Sequence, residues 1–244
     1  CSSDLGLQTP VAFLSCNFPP PAPTTPSLLT HDDVVTLFHE LGHCLHHLLT
    51  QVDYPSVGGI NGVAWDAVEL PSQFHENFAW TREGLALVSG HYESGAPLPE
   101  DLYQKMLGAR HFHSALHLLR QLEFALFDFR LHMQTGEPGE GYVQRTLEET
   151  RREVSLLPVP GWNRFANSFS HIFAGGYAAG YYSYLWAEVL AADAYGAFEE
   201  AGVFDRATGK RFMASILEKG GSREAMELFV EFREIGRASC RVRV

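Results

Sequence analysis

Apolar residues recur at Val34, Leu37, Phe38, Leu41, Leu45, Leu48 and Leu49, the spacing of one face of an amphipathic helix. Thr30 stands ahead of this run as an N-cap. Asp32 and Asp33 follow in the first turn, where the helix dipole favours negative charge. The pattern predicts a helix from Thr30 to about Gln51. Pro55, Gly58, Gly59 and Gly62 then predict a loop over 53–63. A second helix is expected after Pro71, with Ser72 near its start, running to about Ser89. Helical spacing resumes from Pro99 to Met133 with a break near Gly108, and again from Gly141 to Leu157. Gly175, Gly176 and Gly180 mark a flexible stretch ahead of a helix that reaches about Ala201. Two shorter helices are expected over 208–219 and 222–233. Before all of these, Val11–Phe18 reads as one strand, ended by Pro19-Pro20-Pro21. The fold class is mainly α, with a short edge strand near the N-terminus.

Composition narrows the partners. A chain of 244 residues with 45% hydrophobic and 19% charged residues can bury one sizeable core. A formal net charge of −11 argues against nucleic acid, since phosphate binding needs clustered Lys and Arg. A bound divalent cation would offset part of that charge. No apolar run is long enough to cross a bilayer, and no signal peptide is visible, so no membrane partner is expected. The four cysteines (Cys1, Cys16, Cys44 and Cys240) show no close pairing pattern. Cys44 falls inside the first helix, where a reduced thiol is expected. These features fit a cytoplasmic protein without disulfides.

The 12 histidines change the picture by their placement. His39-Glu40-Leu41-Gly42-His43 is an H-E-x-x-H sequence on the first predicted helix. Two histidines four apart project from one helix face, so both imidazoles can reach one ion. Glu40 borders that face and is placed to hold a water on the metal. A third ligand is offered by Glu69 in Val68-Glu69-Leu70-Pro71-Ser72-Gln73, because catalytic zinc takes three protein ligands and leaves one position for water. The competing reading makes His39 and His43 surface residues of an amphipathic helix.

Longer motifs carry a family resemblance. Phe38-His39-Glu40-Leu41-Gly42-His43, then Gly62-Val63-Ala64-Trp65-Asp66-Ala67-Val68-Glu69-Leu70-Pro71-Ser72-Gln73-Phe74-His75-Glu76-Asn77, resemble the thimet oligopeptidase family of zinc metallopeptidases. The match continues through Gln121-Leu122-Glu123-Phe124, His171-Ile172-Phe173-Ala174-Gly175-Gly176-Tyr177 and Tyr181-Tyr182-Ser183-Tyr184-Leu185-Trp186, and it holds to about Arg233. The resemblance implies a zincin-like catalytic region that hydrolyses short peptides. It further implies one Zn2+ on His39, His43 and Glu69, with Glu40 as general base. It places His171, Tyr177 and Tyr184 at the substrate or the transition state. On spacing alone, Tyr177, Tyr181 and Tyr184 share a face if 177–184 is helical, and core packing explains such a stripe equally well.

Other residues divide between roles. Asp66 and Glu76 are candidates to orient the ligand imidazoles, or else solvated acids. His46 and His47 read as structural, and His75, His111, His113 and His117 have no informative partner spacing. Val11–Phe18 resembles the edge strand on which the family pairs a peptide backbone, with a plain sheet edge as the alternative. A different functional class also fits: a helical module that holds zinc for structure without catalysis. Such sites are usually closed by four ligands, and Cys44, a third of a turn from His43, is a poor fourth. Family members carry a large helical N-terminal part that this sequence lacks. Residues 1–233 therefore read as the C-terminal part of a catalytic domain, whose missing N-terminal half is a partner. From Glu234 the sequence departs from the family pattern and reads as a non-native tail, so Cys240 is given no role.

Overall fold

The computed structural model describes residues 9–233. The expected tail over 234–244 lies outside them. The described residues form helices and turns in two compact units, one of residues 9–99 with 187–233 and one of residues 100–186.

In the first unit, α1 spans His31–Leu48 and starts at the expected residue. The Thr30 hydroxyl accepts from the Asp33 N–H, and the Asp33 side chain accepts from the Thr30 N–H, a reciprocal capping box. The expected second helix is instead broken into pieces. α2 spans Trp65–Val68, α3 spans Leu70–Glu76, a 3₁₀ turn covers Asn77–Trp80, and α4 spans Arg82–Val88. Pro71 sits inside the first turn of α3, not ahead of it, because a first-turn residue has no intrahelical use for its N–H. Thr81 restarts the helix, its hydroxyl accepting from the Gly84 N–H.

In the second unit, α5 spans Glu100–Ala109 and α6 spans Ser114–His132, with the break just past Gly108. α7 spans Tyr142–Val154 and packs against α6, and two single turns follow, α8 at Phe165–Ser168 and α9 at Ser170–Phe173. α10, Ser183–Ala201, begins in this unit and continues into the first. The first unit closes with α11 (Arg206–Phe212), a π-helical turn over Met213–Leu217, and α12 (Ala225–Arg233).

Each unit has its own core. In the first, Leu70 and Phe74 of α3 bury against Ala194, Tyr195 and Phe198 of α10, Phe212 of α11 and Phe232 of α12. Phe74 stacks on Phe212 with ring centroids 4.1 Å apart. Burying a phenylalanine is worth about 1.5–3 kcal/mol, so this cluster fixes α3 firmly. In the second, Ala125 and Phe127 of α6 meet Leu147 of α7, with Ala166, Phe169, Ile172 and Tyr181.

The expected edge strand is not formed. Residues 11–18 carry no strand ladder, and Phe13 is 90% exposed. The only β-type pairing among the described residues is the bridge between Ala22 and Thr25. A strand needs a neighbour to receive its backbone hydrogen bonds, and no strand lies in the described residues to offer one. No described helix is long and apolar enough to cross a membrane.

Candidate active site

α1 and α3 bring three sequence-predicted ligands together. One donor atom each from His39, His43 and Glu69 lies within 4.8 Å of the others. His39 Nε2 is 3.2 Å and His43 Nε2 3.1 Å from the same oxygen, Glu69 Oε2. The histidines share a face because they are four apart on one helix. Glu69 sits at the joint between α2 and α3, which aims its side chain back at α1. It is only 3% exposed, and the Ser72 hydroxyl donates to Oε2 at 2.8 Å. A buried carboxylate needs such partners.

Gly42 sets the distance between these helices. A Cβ there would lie 2.6 Å from both the Pro71 carbonyl oxygen and Ser72 Cα. Sequence reasoning missed this role, although a glycine in the middle of a strongly apolar-patterned helix was the signal.

Behind this cluster, His39 Nδ1 donates to Glu76 Oε1 at 2.7 Å. Glu76 therefore reaches the His39 imidazole, whereas half-buried Asp66 reaches neither imidazole of the cluster. Burial of the His39 ring disfavours its charge, but the hydrogen bonds with Glu69 and Glu76 prevail and lift its pKa to about 10. Glu69 and Glu76 thus concentrate negative potential at the His39 ring.

Glu40 is half-buried on α1 between the two histidines. Its negative charge, after burial itself, raises the thiol pKa of both Cys16 and Cys44. Cys16 thus lies in its field, a neighbour that no spacing in the sequence announced. Both cysteines are free thiols, and Cys44 stands outside the three-residue cluster. His46 is 2% exposed and burial lowers its pKa to about 4, so it is a neutral structural residue. His75 donates from Nδ1 to the Pro71 carbonyl at 2.6 Å, within α3.

In the second unit the tyrosines converge through turns, in the flexible stretch that the glycines announced, and not through a shared helical face. Residues 174–182 form turns, and α10 starts only at Ser183. The glycines and the turn closed by the Gly180 N–H on the Tyr177 carbonyl (2.9 Å) bend the chain back. Tyr177 consequently stacks on Tyr184 at 4.9 Å, and the His171 ring lies 6.5 Å from Tyr177 and 6.1 Å from Tyr184. His171 is exposed, and Tyr177 and Tyr184 are half-buried. Tyr181 differs. It is 8% exposed, its hydroxyl donates to Gln121 Oε1 at 3.1 Å, and burial pushes its pKa up to about 12. Core packing accounts for Tyr181. Glu123 of the same motif is likewise structural, buried and paired with Arg151 at 2.8 Å and Arg120 at 2.7 Å.

A family model described as peptidase family M3 matches residues 1–237. Over 231 residues the chain is 58% identical to oligopeptidase A of Salmonella typhimurium, covering 95% of this chain and 34% of that protein. Over 230 residues it is 56% identical to oligopeptidase A of Haemophilus influenzae, covering 94% and 34%. It is 47% identical to a probable cytosolic oligopeptidase A of Arabidopsis thaliana, covering 93% and 33%. The chain spans about a third of the length of the curated relatives it matches.

Proposed function

The chain belongs to peptidase family M3, and from that premise we propose that residues 1–233 are the C-terminal part of the zincin-like catalytic domain of a zinc-dependent oligopeptidase. It hydrolyses peptide bonds in short unstructured peptides. The observation that carries this reading is the convergence of His39, His43 and Glu69 around one point, with Glu40 between the histidines on α1. Two imidazoles and a carboxylate are the donor set of a catalytic zinc site with a position left open. The buried negative charge of Glu69 and the hydrogen bond from His39 to Glu76 fit a cation there, since a ligating imidazole usually donates its other N–H.

A zinc ion held by His39, His43 and Glu69 would supply Lewis acidity, lowering the pKa of a water toward neutrality and polarising the scissile carbonyl. Glu40 takes the proton of the attacking water and delivers it to the leaving amine. Glu76 fixes the tautomer and orientation of His39. Ser72 fixes the orientation of the Glu69 carboxylate by donating to Oε2. The family resemblance assigns His171, Tyr177 and Tyr184 to the substrate. The exposure of the first and half-burial of the other two support that assignment. A phenol donating to the developing oxyanion contributes about 3 to 4 kcal/mol to the transition state.

The free thiols of Cys16 and Cys44 agree with a cytoplasmic location. The partners proposed are short peptides and the remaining part of the parent enzyme, which the relatives' length makes larger than the N-terminal half first expected. The tail from Glu234 is proposed as non-native. A contiguous native coding sequence across this junction would overturn that. The test of function is metal analysis of the full-length protein with peptide hydrolysis before and after chelation. Zinc at about one per chain, and hydrolysis lost on chelation and restored by zinc, are expected. Full hydrolysis by the metal-free protein would overturn the reading.

A further inference from the structure

Asp128 of α6 takes no part in the chemistry above, yet its carboxylate is wholly enclosed, with 0% exposure. Oδ1 accepts from the Ala179 N–H and Oδ2 from the Tyr181 N–H, each at 2.9 Å. His132, one turn along α6, places Nδ1 2.8 Å from Oδ1. The two backbone donors bracket Gly180, whose own N–H closes the turn on the Tyr177 carbonyl. Ala179, the third residue of that turn, has φ of 54°. That left-handed conformation is one alanine rarely holds, and the position ordinarily takes glycine. A strained residue of this kind persists where its surroundings dictate it. Here they do so through a carboxyl group that accepts at both oxygens.

We propose that Asp128 is a positioning residue for the reaction: it clamps the Tyr177–Gly180 turn and the approach to α10, so that the phenols of Tyr177 and Tyr184 stand in one arrangement. This rests on the reading of those two tyrosines as substrate-facing. The clamp matters because the segment carries Gly175, Gly176 and Gly180 and no helical hydrogen-bond ladder over 174–182. Position is transmitted by packing. Tyr181, held by Asp128 at its N–H and by Gln121 at its hydroxyl, meets Tyr184 at 5.1 Å and His171 at 5.7 Å, and Tyr184 stacks on Tyr177. A shift at 179–181 therefore reaches both phenols.

The experiment uses the full-length, zinc-loaded protein and the isosteric variant Asp128→Asn, whose amide nitrogen cannot accept from a backbone N–H. A displacement of about 1 Å costs roughly a hundredfold in rate. We expect kcat on a short peptide to fall by about 10- to 100-fold, with KM changed by less than about threefold. Zinc content should be unchanged, and amide exchange at Ala179 and Tyr181 should accelerate. Adding Ala179→Gly, which takes the turn conformation without strain, should recover part of kcat. Adding Tyr177→Phe should cost less in Asp128→Asn than in the parent, because the two act through one group. If Tyr177→Phe and Tyr184→Phe both leave kcat intact in the parent, the reading of the tyrosines fails, and the clamp with it. If they lower kcat while Asp128→Asn frees the amides and leaves kcat intact, only the clamp is overturned. An additive cycle with no rescue by Ala179→Gly overturns it too. Should Asp128→Asn not fold, Ala179→Val strains the turn with the carboxylate in place. The same selective fall in kcat is expected there, and an unchanged kcat overturns the proposal.

Discussion

Gly42 of α1 and Ser72 of α3 approach so closely that a methyl group on the glycine would lie 2.6 Å from the Ser72 Cα. Glycine inside a helix costs about 1 kcal/mol relative to alanine. α1 therefore gives up helix propensity at this position, and it gains backbone contact with α3. Glu69 immediately precedes α3, and the Ser72 hydroxyl holds its carboxylate. The close approach is what lets one buried oxygen reach both histidines.

Gly42→Ala should therefore destabilise the protein despite improving helix propensity. Overpacking of this kind costs about 1–3 kcal/mol, and pushing α3 outward should weaken metal retention as well. Thermal unfolding and zinc content after dialysis against a weak chelator measure the two effects. A variant that melts with the parent and keeps its zinc would show that the helix spacing is not what holds Glu69 in place.

The acids around His39 should form a graded series. Glu69→Ala removes a charged ligand, so metal retention should be lost almost completely. Glu76→Ala leaves all three ligands and removes only the acceptor 2.7 Å from His39 Nδ1. Loss of such a supporting acceptor typically costs about 10- to 100-fold in metal affinity. Competition with a chromogenic chelator ranks the variants. Undiminished zinc in folded Glu69→Ala would reject the ligand assignment, and equal losses in both variants would erase the distinction between ligand and support.

Much of this site was legible in the sequence because its physics is local. The two histidines are four apart on a helix whose N-cap, Thr30, and first-turn acids were readable in advance. Glu69 was offered as a third ligand in advance, but the reason it reaches α1 was not legible, because it depends on Gly42, a contact across about thirty residues of chain. The tyrosines show the opposite case. Their spacing gives a common face only in a helix, whereas three glycines and the left-handed Ala179 make turns of 174–182, and the rings converge by folding back. The strand at Val11–Phe18 failed for a third reason. Alternation and β-propensity say that a segment suits a sheet, but they do not supply the partner strand.

Glu40→Gln separates chemistry from binding. The amide keeps the size and hydrogen-bonding capacity of the carboxylate but cannot take a proton from water. Zinc should stay bound while turnover drops by at least about 100-fold, the lower range of a general base's contribution. The measurement belongs in the full-length protein, with zinc content and peptide hydrolysis read on the same preparation. Turnover near the parent's rate would remove Glu40 from the role of base.

Substrate size tests the proposed dependence on the rest of the enzyme. The family resemblance implies a zinc site at the floor of a deep channel, to which the surface of a folded protein cannot thread. The full-length enzyme should then cut short unstructured peptides and leave folded proteins intact. For residues 1–233 alone, two outcomes compete. An open cleft would give weak hydrolysis with less regard for size. Loss of the opposing wall would leave the peptide unpositioned, and positioning contributes about 7–11 kcal/mol to well-oriented reactions. We expect loss of activity. Assays of chain and full-length enzyme side by side, on one short peptide and one folded protein, with the oligomeric state of each recorded, distinguish the outcomes. Hydrolysis of the short peptide by the isolated, monomeric chain at the full-length rate would show that the channel's other wall is dispensable, and the positioning argument would fail.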